Sequence, residues 1–434
     1  MIAEVRLWGR TIGAVSMDDG REVAEFQYDA AFATSGIELS PLTMPLSHRI
    51  YQFPALPRNT FRGLPGLLAD SLPDRFGNAL IDEWLALQGR SAERFDAVER
   101  LCYIGTRGMG ALEFAPTLGP KPRRATALAV DALVQLASDV LSHRNDVQGH
   151  FGATAKSKAL RDILTVGTSA GGARAKSVIA WNRTTNDVRS GHMFAGDGFE
   201  YWLLKFDGVV GNKDKELDDS QGYGAIEYAY SLMARAAGIT MTECRLLEEN
   251  GRRHFMTKRF DRLDGGAKLH MQSLGALAHF DFNEAGAYSY EQALQVIRQL
   301  KLPMASLEEQ FRRMAFNVVA RNQDDHVKNI AFLMNKQGEW ALAPAFDVTY
   351  SYNPSGAWTA THQMTLNGKR DGFTREDFDA CAKLAGLRRG RSSQIVDEVL
   401  TAVRRWTEFA EAAKIDDARR DQIQRAFRLR VPRE

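Results

Sequence analysis

Asp324 and Asn329 are separated by four residues in the polar run Gln323-Asp324-Asp325-His326-Val327-Lys328-Asn329, and Asp347 follows in Ala345-Phe346-Asp347-Val348. An aspartate and an asparagine at that spacing match the catalytic loop of phosphoryl-transfer enzymes, where the carboxylate takes the acceptor hydroxyl and the amide oxygen binds Mg²⁺. Mg²⁺ prefers one or two carboxylates plus phosphate oxygens, so Asp347 is the second protein ligand of that reading. Upstream lies Gly167-Thr168-Ser169-Ala170-Gly171-Gly172-Ala173-Arg174-Ala175-Lys176, whose glycines leave backbone N–H groups free to approach phosphate oxygens. Lys205 sits inside the apolar run Tyr201-Trp202-Leu203-Leu204-Lys205-Phe206, where an ammonium needs an anion, and Glu227 further on is the candidate to hold it. Taken singly each piece has an ordinary explanation, since glycines make turns, Asp and Asn form loops and a lysine can extend from an edge strand. Their order along one chain is the stronger signal.

These residues need elements to place them. A pleat of period two puts Lys205 on the face of Tyr201 and Leu203. Strands are expected over 4–8, 24–28, 177–181, 201–206, 244–247 and 255–260, with helices over 79–87 and 130–141. Ile226, Ala229, Tyr230, Met233 and Ala237 recur at helical spacing up to Gly238, with Glu227 off that stripe. Ser306-Leu307-Glu308-Glu309 has the pattern of a capping box opening a helix that delivers Arg321 and Asn322 to the polar loop. A hairpin is expected from 330–333 and 340–342 around the turn at Asn335-Lys336-Gln337-Gly338. The Pro-, Gly- and charge-rich stretch 115–124 reads as a boundary. We expect three units, 1–120, 125–285 with the Gly-rich loop, and 286–434 with the catalytic loop.

The segments Thr168–Lys176, Asn322–Asn329 and Ala343–Val348, together with Gly63-Leu64-Pro65-Gly66-Leu67-Leu68-Ala69-Asp70-Ser71-Leu72-Pro73-Asp74, resemble HipA-type kinases over most of the chain. The resemblance implies an α+β, two-lobed protein-kinase-like fold with an extra N-terminal α/β domain and a mostly helical C-terminal lobe. It implies a serine/threonine protein kinase that uses ATP and Mg²⁺, with Asp324 catalytic, Asn329 and Asp347 on the metal, and Lys205, Gly171, Gly172, Ala173, Lys176 and Glu227 at the nucleotide. Ser169 matches the serine that these kinases autophosphorylate, and the neighbouring Thr168 offers a second hydroxyl. Partners implied are a protein substrate, aminoacyl-tRNA synthetases being known ones in the family, and a helix-turn-helix antitoxin of the HipB type through which DNA is reached indirectly.

The bulk properties agree with a soluble, multi-domain protein: 434 residues, 44% hydrophobic and 25% charged, too long for one core. Fifty-six basic against 54 acidic residues give +2, too little for a nucleic-acid-coating surface. Cys102, Cys244 and Cys381 are far apart, which suggests neither a disulfide framework nor a zinc ribbon and fits a reducing cytoplasm. No apolar run is long enough to span a bilayer, and the start lacks a signal-peptide pattern. Two rival readings stand beside the kinase. Gly167-Thr168-Ser169-Ala170-Gly171 matches G-x-S-x-G, so Ser169, Asp347 and His362 would complete a serine hydrolase in chain order; the other is an inactive, antitoxin-bound corepressor of DNA. The arginines of the last thirty or so residues alternate with Asp416, Asp417 and Asp421, which reads as a solvated helix face.

Overall fold

The computed structural model describes residues 1–18, 20–86, 88–120, 128, 130–142, 174–192, 195–209, 213–214, 217–218 and 222–433. Thr168, Ser169, Gly171, Gly172 and Ala173 lie outside them.

The first unit is an antiparallel sheet in the order β4-β3-β2-β1-β5, from β1 (Ile2–Leu7), β2 (Arg10–Ser16), β3 (Glu25–Tyr28), β4 (Ile50–Tyr51) and β5 (Leu112–Ala115). Alternation drives it: Ala3, Val5 and Leu7 point inward from β1 and are buried, the pattern of a sheet with one wet face. Between β4 and β5 run α1 (Arg58–Phe61), α2 (Gly66–Ala69), α3 (Arg75–Ala86) and α4 (Ala97–Ile104). Asp96 and Glu99 close a reciprocal capping box at the start of α4, satisfying otherwise orphaned N–H groups.

The second unit begins with α5 (Val130–Ser142) and continues through β6 (Lys176–Asn182), β7 (Val188–Ser190), β8 (Phe199–Lys205), the short pair β9 (Lys213–Asp214) and β10 (Leu217–Asp218), α6 (Tyr223–Ala236), β11 (Cys244–Glu249) and β12 (Arg252–Lys258). Its sheet has the order β11-β12-β8-β6-β7 and is antiparallel. Trp202 and Leu204 of β8 are buried with Val134 of α5 and with Phe76 and Leu80 of α3, so a helix of the first unit packs on the back of the second sheet. Tyr201, Leu203 and Lys205 take the opposite face, as period two requires.

The remaining chain forms β13 (His270–Ser273), α7 (Leu274–Ala278), α8 (Tyr290–Gln299), α9 (Met304–Val319), β14 (Ala331–Met334), β15 (Trp340–Leu342), α10 (Arg375–Leu384), α11 (Arg391–Val403), α12 (Trp406–Ala412) and α13 (Asp417–Ala426). β13 pairs with β14, and β14 with β15. The apolar stripe of α6, including Ile226, Tyr230 and Met233, is buried in this helical body, so α6 ties the second sheet to the lobe below.

The expected capping box at Ser306 is not formed. α9 opens two residues earlier, at Met304, behind Pro303, whose fixed φ leads the chain directly into the helix. Glu309 instead accepts from Thr240 N at 3.0 Å and Arg313 Nε at 2.8 Å.

Candidate active site

Lys205, at the end of β8, donates from Nζ to Glu227 Oε1 at 2.6 Å and also to Asp347 Oδ1. Three separate elements meet in this contact: a strand of the second unit, the helix α6, and the segment after β15. Burial alone would lower the Lys205 pKa, but Asp347 and Glu227 overcome it and hold the ammonium above its ordinary value. Burial likewise pushes Asp347 upward, and Lys205 outweighs this to hold its carboxyl at about 2. Glu227, fully buried on α6, is raised by burial, against the pull of Lys205. Asp347 has φ 54°, a left-handed backbone rare outside glycine and frequent at functional positions.

Asp324 is presented by a loop that its neighbour anchors. α9 ends at Val319, and Arg321, at φ 57°, turns the chain into the loop. Asp325 is buried and accepts from the Tyr290 hydroxyl, from Gln363 N at 2.7 Å, and lies 2.7 Å from His362 Nδ1. Burial pushes the Asp325 carboxyl up, but His362 and these hydrogen bonds hold it below its ordinary range. With Asp325 fixed inward, Asp324 faces the cleft, where Trp358 Nε1 donates to its Oδ1 at 2.7 Å. Asn329 Nδ2 donates to the Asp324 carbonyl at 2.9 Å, which leaves the amide oxygen as its free acceptor group.

Lys176, Lys205, Glu227, Asp324, Asn329 and Asp347 all line one cavity of about 430 Å³. Beside it is an apolar slot of about 100 Å³ walled by Leu203, Met241, Phe255, Phe260, Met271 and Phe346 and sharing Lys205, Asn329 and Asp347. An apolar slot beside a chamber lined by lysines and carboxylates pairs a site for an apolar group with a site for charged ones. Among the described residues no group of three or more His, Cys, Asp or Glu is arranged to hold a metal; Asp347 and Asn329 are among the hard oxygen donors that line the cavity, and oxygen donors of this kind fit Mg²⁺ rather than zinc.

The predicted residues Lys176, Lys205, Glu227, Asp324, Asn329 and Asp347 are thus brought together, while the glycine, alanine and hydroxyl positions of the loop lie outside the described residues. The hydrolase order is not assembled. Asp347 binds Lys205, whereas His362 is fully buried against Asp325, so the acid and the base of that triad have different partners. Trp358, the Asp325–Tyr290–His362 network and the apolar slot carried no sequence signal, because each depends on side chains far apart in the chain. Nor is the arginine-rich tail only a solvated face: Arg428 ion-pairs with Asp371, donates to Val318 O at 2.9 Å and lies 2.9 Å from His362 Nε2.

A sheet-bearing lobe and a helical lobe enclosing a Lys–Glu pair and a loop aspartate define a two-lobed, protein-kinase-like fold. Models of two families match the chain, the HipA N-terminal domain over residues 3–115 and the HipA-like C-terminal domain over residues 168–407. The chain belongs to the HipA family. The HipA structure from Shewanella oneidensis MR-1, solved as a toxin–antitoxin complex with HipB and operator DNA, superposes with a TM-score of 0.67 at 16% identity, covering 98% of this chain and 96% of that one. The kinase-named protein Y4mE of Sinorhizobium fredii is 27% identical over 202 residues, a match spanning 43% of this chain and 48% of that relative. Among the described residues no helix is long and apolar enough to cross a membrane.

Proposed function

We propose that the chain is an ATP- and Mg²⁺-dependent protein serine/threonine kinase of the HipA type. The observation that carries this reading is Lys205, held by Glu227 and Asp347 at the cavity that Asp324 and Asn329 also line. Phosphoryl transfer asks for placed charge and a correctly aimed hydroxyl rather than covalent help from the protein. Lys205, oriented by Glu227, offers its ammonium to phosphate oxygens. Asp324 accepts the proton of the acceptor hydroxyl and aims its oxygen. Asp347 and Asn329 would hold Mg²⁺, which when bound supplies the charge neutralisation of the phosphates. The apolar slot takes the purine and keeps water away from the reacting end.

On this reading Ser169, or Thr168 beside it, is phosphorylated by the chain itself, and nearly two added negative charges next to a triphosphate would repel it and switch the enzyme off. The cellular substrate is a hydroxyl of another protein, an aminoacyl-tRNA synthetase being the class the family resemblance favours, with arrest of growth in the cytoplasm as the outcome. A helix-turn-helix antitoxin partner, carrying any contact with DNA, is supported by the HipB and operator DNA that accompany the Shewanella structure.

The test is the intact mass of the protein after incubation with ATP and Mg²⁺, with and without EDTA, followed by peptide mapping. A phosphate on residue 168 or 169 that disappears with EDTA is expected. No phosphate and no binding of ATP by the folded protein would overturn the reading.

A further inference from the structure

The run Gly63 to Asp74, which marks the first domain, reaches into the site of the second. Gly66 N donates to His279 Nε2 at 3.0 Å, and Asp70 accepts from Ser273 N at 2.7 Å and Ser273 Oγ at 2.8 Å. The approach is close enough that a Cβ on Gly66 would fall 2.2 Å from the Ala276 carbonyl oxygen. So docked, the segment ends at Asp74, whose Oδ2 is 3.3 Å from Lys176 Nζ, the two side chains 3% and 2% exposed.

The sheet register explains why an anion is needed there. Lys176 on β6 is the direct partner of Lys205 on β8, so two ammonium groups leave the same face of the sheet toward the same cavity. Like charges directly opposite one another destabilise a strand pair unless each is answered. Lys205 is answered by Glu227 and Asp347. Lys176 has Asp74, brought in by the other domain. Asp74 is held in place because its Oδ1 accepts from Gly77 N at 2.6 Å in the first turn of α3, and among the described residues its Oδ2 accepts no hydrogen bond, so that oxygen faces the lysine.

We propose that Asp74 is a positioning residue that holds Lys176 toward the phosphates as Glu227 holds Lys205, so that the amino-terminal domain supplies part of the phosphate site. This rests on the kinase reading above. A pair of aimed ammonium groups stabilises charge that develops on the transferred group, and an ammonium released from its anchor still attracts phosphate without being aimed.

The experiment uses the full chain, comparing wild type, Asp74→Asn, Lys176→Met and the double variant. Initial self-phosphorylation is measured at saturating MgATP, and MgADP affinity by calorimetry, with binding stoichiometry giving the folded fraction. Asp74→Asn is expected to slow transfer about tenfold while changing MgADP affinity less than about threefold, and to cost nothing further in the Lys176→Met background. An unchanged rate in folded Asp74→Asn, or the same loss in both backgrounds, overturns the proposal, the latter by showing a purely structural role. If Asp74→Asn does not fold, Asp74→Ser, which still accepts from Gly77 N, carries the same expectations. Wild-type protein that neither binds nor transfers would overturn the kinase reading itself.

Discussion

Trp358 donates its indole N–H to Asp324 Oδ1 across 2.7 Å, so one oxygen of the proposed catalytic carboxylate is held by an aromatic side chain from the segment after Asp347. That bond fixes the carboxylate plane and leaves Oδ2 for an acceptor hydroxyl. Trp358→Phe keeps most of the ring and removes the donor. Self-phosphorylation should slow about tenfold with the KM for ATP unchanged, because positioning acts on the chemical step. Asp324→Ala should lose about a hundredfold or more and remain folded with its nucleotide affinity intact; full transfer by that variant would remove Asp324 from the mechanism.

Lys205 is shared by two carboxylates, so its loss should be felt in stability as well as activity. Lys205→Met leaves the buried Glu227 and the partly exposed Asp347 without their cation, and breaking a buried pair from one side costs about 3 kcal/mol. Urea unfolding should show this, together with loss of transfer. Glu227→Gln should reduce transfer while costing less stability, since the Lys205–Asp347 pair survives. Equal stability of Lys205→Met and wild type would mean that the cluster is solvated in solution.

His270 provides a pH test separate from the site. It is buried on β13 with its ring 5.8 Å from that of Trp340, neither ring nitrogen has a hydrogen-bond partner among the described residues, and burial lowers its pKa from 6.5 to about 3. The unfolded chain therefore binds a proton that the folded one refuses between those two values. Stability contributed by the neutral ring is complete above 6.5 and is lost as pH falls through the window, by about 1.4 kcal/mol per pH unit. His270→Phe should flatten the acid side of the urea midpoint relative to wild type. Parallel acid profiles for the two proteins would show that His270 is not the group responsible.

The close docking of the two domains predicts that Gly66→Ala disturbs more than its own helix. Gly66 has no positive φ, so the cost is steric: the new methyl meets the Ala276 carbonyl oxygen and one side must move, at about 1–3 kcal/mol. Thermal unfolding should occur at lower temperature, and proteolysis between the domains should accelerate. A variant as stable and resistant as wild type would show that the interface has slack.

Much of this architecture follows from local pattern. Tyr201 to Phe206 is apolar enough to be a strand, and period two alone puts Lys205 on the face away from Trp202 and Leu204. The stripe of α6 names its buried side, and the loop between α9 and β14 is legible from Asp324, Asn329 and the hairpin beyond. Which anion answers Lys205 was only partly legible: Glu227 was nameable from its place on the next helix, but the bond from Lys205 to Asp347 crosses much of the chain and exists only once both lobes are folded. The same holds for Asp74 against Lys176, Trp358 against Asp324, and Arg428 beside His362. Local pattern sets the elements and the order of chemically capable residues, because helix and strand periods are set by neighbours a few positions apart. Tertiary structure alone decided which charges meet, because in a buried cleft an ammonium or carboxylate is stable only opposite a partner, and that partner is chosen by packing between domains rather than by spacing along the chain.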